Sequence, residues 1–89
     1  MITAFRKSFE RDLRKLAKSH NLLDRVRDAI EEVERADDFR TISGVKKLSG
    51  GGNYYRIRIG DYRIGIVLEK ETVTFVRCLH RRDIYRYFP

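Results

Sequence analysis

Three arginines, Arg56, Arg58 and Arg63, flank the dipeptide Gly60-Asp61, and a second basic group, His80-Arg81-Arg82, is followed closely by Tyr85. Arginine presents a planar fork of donors that stays charged at any ordinary pH and matches the oxygens of a phosphate. Histidine titrates near neutrality, and a tyrosine can act as a base where neighbouring cations stabilise its phenolate. Fixed cations beside one or two proton carriers suit transfer at a phosphodiester. That reaction needs a deprotonated nucleophile, a stabilised pentavalent phosphate and a protonated leaving oxygen.

The spacing predicts how these side chains are held. If Gly60-Asp61 is a two-residue hairpin loop, Ile59 faces Tyr62, Arg58 faces Arg63, Ile57 faces Ile64, Arg56 faces Gly65 and Tyr55 faces Ile66. Alternation then puts Tyr55, Ile57, Ile59, Tyr62, Ile64 and Ile66 on an apolar face and Tyr54, Arg56, Arg58 and Arg63 on the other. Gly65 is expected to leave room beside Arg56 for a ligand. Opposed like charges cost up to about 1 kcal/mol, a repulsion that a polyanion relieves. Tyr54 is placed to stack on a base or to pack near the loop. A meander also brings the end of the last strand near Arg58 and Arg63. The turn at Glu69 to Glu71 is ambiguous by one residue, so either His80 or Arg81 shares their face.

The remaining elements follow from periodicity. Ile2 to Phe5 reads as a short strand, and Ser8 as the cap of a helix with Phe9, Leu13, Leu16 and Ala17 on its apolar stripe. His20-Asn21 breaks that helix. A second runs from about Leu22 to Ala36, with Leu22, Leu23, Val26, Ala29, Ile30 and Val33 facing inward. From Phe39 the period becomes twofold. Strands are expected at Val45 to Leu48, Tyr54 to Ile59, Tyr62 to Leu68 and Thr72 to Leu79, and a short helix or turn around Ile84, Tyr87 and Phe88 closes the chain. The fold class is α+β, with two N-terminal helices on one face of a small antiparallel sheet and the arginines on the other.

The 89 residues make one domain, 1–89, with a net charge of +7. Residues 1–43 hold 10 Lys/Arg against 9 Asp/Glu, whereas residues 44–89 hold 10 against 4, so the β half carries the surplus and points to nucleic acid as partner. The single cysteine, Cys78, cannot form an internal disulfide and suits a reducing cytoplasm. No signal-like or membrane-spanning apolar run is visible, so a soluble, unexported protein is expected. Two histidines sixty positions apart, one cysteine and no acidic cluster in the β half supply no metal site. Gly50-Gly51-Gly52 lacks the following Lys and Ser/Thr of a phosphate loop.

At Lys47-Leu48-Ser49-Gly50, at Tyr55 to Ile64 and at His80 to Tyr85, in that order after two amphipathic helices, the chain resembles the RelE/ParE toxin superfamily over nearly its whole length. In RelE-like members the resemblance implies a ribosome-dependent, metal-independent endoribonuclease without cofactor. Such a toxin enters the ribosomal A site and cuts mRNA by 2′-OH attack on the adjacent phosphate. By position, Arg63, Arg81, Tyr85 and His80 are the candidate catalytic residues, and Arg56, Arg58, Tyr54, Lys47 and Arg82 the candidate RNA contacts. Two departures bear on the chemistry: the paired basic residues before the turn are lysines in the best-known active enzyme, and His80 replaces a further lysine. Whether His80 or Tyr85 carries the proton stays open. The resemblance also implies a cognate antitoxin as partner, besides ribosome and mRNA. Two alternatives are a ParE-like inhibitor of DNA gyrase that is no nuclease, and a toxin homologue without activity.

Overall fold

The computed structural model describes residues 1–89. The elements are β1 (Ile2–Phe5), α1 (Lys7–Lys15), α2 (His20–Arg35), a 3-10 turn at Phe39–Thr41, β2 (Val45–Lys47), β3 (Tyr54–Ile59), β4 (Tyr62–Glu69), β5 (Thr72–His80) and α3 (Ile84–Tyr87). The five strands form one sheet in the order β1-β5-β4-β3-β2, antiparallel except where β1 runs parallel to β5. No helix is long and apolar enough to cross a membrane.

The β3–β4 register matches the sequence expectation pair for pair, from Ile59 opposite Tyr62 to Tyr55 opposite Ile66. Gly60 opens the loop at φ 57°, a conformation that costs a glycine nothing. Tyr55, Ile57, Ile59, Ile64 and Ile66 are buried and share one core with Val26, Ala29 and Val33 of α2 and Phe9 of α1. Full burial of each isoleucine contributes about 1.5–3 kcal/mol, which holds the apolar face down and turns Arg56, Arg58 and Arg63 outward.

Three local expectations are corrected. Ser8 is not the helix cap: Arg6 holds that position, and the Ser8 hydroxyl donates to Val76 O at 2.6 Å. His20 does not merely break a helix but opens α2, since α1 ends at Lys15. At Phe39–Thr41 a 3-10 turn, capped by the Asp38 carboxylate accepting from Arg40 N–H at 3.0 Å, precedes the twofold pattern.

β1 covers the edge of β5 only as far as Phe75, and α1 takes over from there. Arg6 N–H donates to Phe75 O at 2.9 Å, Ser8 to Val76 O, and Asp12 Oδ2 accepts from Cys78 N–H at 2.9 Å. Ser8 and Asp12, one helical turn apart, thus satisfy strand groups that would otherwise be orphaned.

Candidate functional site

The outer face of the sheet is organised in three rows. Gly44, Arg58, Arg63 and Leu79 form the first, with Arg58 N–H donating to Gly44 O at 3.0 Å. Lys46, Arg56, Gly65 and Arg77 form the second. Tyr54, Val67 and Thr74 form the third. The carboxylates that pair within 4.0 Å do so with Arg6, Arg27, Arg35, Arg40 and Arg77, which leaves Lys46, Arg56, Arg58, Arg63, Arg81 and Arg82 without an acidic partner. Arg58 is exposed. Arg63 is steered by two backbone acceptors, its Nη1 donating to Gly60 O at 2.8 Å and Tyr62 O at 2.9 Å. Arg56 is more committed, with Nη1 on Gly44 O and a buried Nε that has no partner.

The space expected beside Arg56 is filled. A Cβ on Gly65 would lie 2.7 Å from the Phe88 ring, so the missing side chain makes room for an aromatic from the chain's own C-terminal segment, not for a ligand. Phe88 is 3% exposed and Ile84 of α3 is fully buried, while Tyr85 is 60% exposed. Tyr54 meets Phe88 edge-on at 5.7 Å.

A β-bulge decides between His80 and Arg81. From Glu69–Thr72 the β4–β5 ladder runs regularly to Ile66–Phe75; Val76 is then skipped, and pairing resumes at Gly65–Arg77. The one-residue shift exchanges the faces of everything beyond it. It turns Arg77 outward, Cys78 inward, and His80 inward opposite Tyr62. The His80 ring meets Tyr62 edge-on at 5.4 Å, and its Nδ1 accepts from Arg82 N–H at 3.1 Å, a bond that puts the proton of a neutral imidazole on Nε2. Arg81 follows on the arginine side by alternation; its N–H extends the ladder to Asp61 O at 2.7 Å, and its side chain is exposed. His80 is therefore not brought to the arginine face. Neither is Lys47, which pairs with Tyr55; the lysine on that face is Lys46, opposite Arg56. Arg82 is exposed in the turn before α3.

The model of the ParE toxin of type II toxin–antitoxin systems matches residues 4–85, and the chain is 40% identical to toxin RelE3 of Methanocaldococcus jannaschii over 90 residues, the whole of both chains. The chain belongs to the RelE/ParE superfamily of type II toxins. The toxin of the solved RelB–RelE antitoxin–toxin complex from Methanococcus jannaschii resembles it at TM-score 0.82 and 40% identity, covering 97% of this chain and 99% of that one. YafQ from E. coli strain BL21(DE3) shares the fold at TM-score 0.72 and 12% identity, over 90% and 92% of the two chains.

One feature of this toxin escaped the sequence reading. Arg77 donates through Nε and Nη2 to Asp12 at 2.7 and 3.1 Å, and the same carboxylate takes the Cys78 N–H. These hydrogen bonds hold the Arg77 guanidinium above the usual arginine range. A signal was present: Asp12 falls three residues after Phe9 and four before Leu16, within the apolar stripe of α1, where a carboxylate requires a buried partner. Burial, with Asp12 nearby, pushes the Cys78 thiol up to about 12, which makes it inert. No three His, Cys, Asp or Glu side chains are grouped so as to hold a metal ion.

Proposed function

We propose that this toxin is a ribosome-dependent endoribonuclease that cuts mRNA by attack of a ribose 2′-hydroxyl on the adjacent phosphate. The observation that carries the reading is the opposed pair Arg58 and Arg63, neither paired with a carboxylate within 4.0 Å, with Arg81 following on their side. In the attack, a new bond from O2′ to phosphorus forms as the bond to O5′ breaks. The products are a 2′,3′-cyclic phosphate and a 5′-hydroxyl. Arg63 and Arg81 hold the non-bridging oxygens, whose negative charge grows in the pentavalent state. Arg58 and, with part of its donors, Arg56 fix the neighbouring phosphates. Tyr85 is the proton carrier in this scheme, taking the 2′-hydroxyl proton as O2′ attacks and returning it to O5′ as that bond breaks, because His80 lies on the opposite face with Nδ1 already engaged. Tyr54 and Arg82 are peripheral RNA contacts, and Lys46, opposite Arg56, takes the place expected of Lys47.

The partner that restrains this activity is a cognate antitoxin, a reading supported by the 40% identical toxin solved with its antitoxin RelB. With +7 net charge and unpaired arginines on one face, the toxin suits an acidic or amphipathic segment. Action on translated mRNA places it in the cytoplasm.

The matching family model is named for ParE, which favours a second reading, inhibition of DNA gyrase without RNA cleavage. Primer extension on mRNA after induced expression separates the two. New 5′ ends within codons, absent when the antitoxin is co-expressed, support the nuclease; intact mRNA with lost negative supercoiling supports the gyrase inhibitor.

A further inference from the structure

The outer face has a second functional end. Beyond the arginine rows the sheet is floored by Val67 and bounded by Tyr54 and Phe88 in edge-on contact, with Tyr87, 54% exposed, beside them; together they line a half-open chamber of about 480 Å³. Arg6 and Glu69 also line it, their side chains 58% and 62% exposed. Their closest approach is 3.8 Å, too long for a hydrogen bond, so both keep free donors and acceptors. Tyr54 lies four residues from Arg58 on the same strand face, a separation of roughly 13 Å at the usual rise per residue.

The geometry points to a seat for one purine base, guanine before adenine, of the same RNA strand whose phosphates lie on Arg58 and Arg63; the inference rests on the nuclease reading above. Unstacked bases of single-stranded RNA bind by laying their faces on aromatic side chains and offering their edges to polar groups. Tyr54 and Tyr87 supply the rings, and Val67 with the edge of the buried Phe88 supplies an apolar floor. A guanidinium beside a carboxylate complements guanine: Arg6 donates to O6 and N7, and Glu69 accepts from N1–H and the 2-amino group. Adenine has neither the O6 acceptor nor the N1 donor. A strand crossing the face from the arginines covers 13 Å in about two to four nucleotides, depending on how far it is extended.

The test is single-turnover cleavage on ribosomes programmed with mRNA randomised around the cut, read by sequencing the new 5′ ends. The expected result is enrichment of purine, guanine over adenine, at one fixed position two to four nucleotides from the cut. Val67→Trp fills the chamber and abolishes that enrichment, whereas Glu69→Gln lowers the guanine-over-adenine preference on the order of tenfold. Wild-type protein that cuts without positional preference overturns the inference and leaves the nuclease reading standing. Wild-type protein that cuts nothing defeats the nuclease reading first and the inference with it. Retained enrichment in Val67→Trp also overturns it, as does retained enrichment with weakened antitoxin binding, which would make the chamber a peptide seat. If Val67→Trp does not fold, the exposed Glu69→Gln decides.

Discussion

Asp12 is the residue whose removal most directly tests how the β5 edge is held. Its side chain is 4% exposed and accepts three hydrogen bonds, two from Arg77 and one from Cys78 N–H, all between 2.7 and 3.1 Å. In Asp12→Ala the guanidinium loses its counter-charge and the strand N–H its acceptor. Removing one partner of a buried ion pair costs about 3–5 kcal/mol. The Arg77 side chain, 25% exposed, recovers some hydration, which pulls its share toward the lower end. An unsatisfied N–H adds about 1–3 kcal/mol, partly the same loss. A total of about 3–5 kcal/mol is a large part of the roughly 4–13 kcal/mol available to a chain of this length, and corresponds to a fall in Tm of well over 10 °C. Asp12→Asn keeps an acceptor for Cys78 and should cost about half as much. Replacing the pair together, Asp12→Leu with Arg77→Met, should recover much of the loss because no lone charge remains. Urea unfolding followed by circular dichroism, with the m-value checked for constancy, measures all three. A cost below about 1 kcal/mol for Asp12→Ala, or a double variant as unstable as the single, would refute the reasoning.

Further outcomes follow from the same geometry. Arg63→Ala and Arg81→Ala should each lower cleavage on programmed ribosomes by about 10²–10³ with unfolding curves little changed, and Tyr85→Phe by about 10² if the phenol carries a proton. His80→Gln should leave the pH–rate profile in place, since the imidazole faces Tyr62 on the other side of the sheet. Gly65→Ala should push Phe88 off the sheet and cost about 1–3 kcal/mol, visible as faster proteolysis of the C-terminal segment. Cys78 is held as the neutral thiol, so native stability is full below the ordinary thiol range and declines as pH rises from about 9 toward 12; stability that is flat across that interval contradicts the burial assigned to it.

The hairpin carrying Arg56, Arg58 and Arg63 was legible because its determinants are local. Gly60-Asp61 permits a two-residue loop, the loop sets the register, and the run of isoleucines allows only one face to point inward. The excess charge of the β half, and the motifs that carry the superfamily resemblance, are likewise linear properties of the chain. What the sequence could not decide are contacts made between distant segments. The bulge at Val76 sits in an apolar run with no glycine to mark it, yet its single extra residue is what sends Arg81 to the arginine face and His80 to the helix side. Phe88 fills the space left by Gly65 across 23 positions of sequence, and Asp12 finds Arg77 across 65, so both depend on how the finished sheet brings its ends together. Local spacing thus determined which side chains form the cationic face. Only tertiary closure decided which of them remain free to meet a phosphate, because a guanidinium's availability depends on the acceptors folded against it.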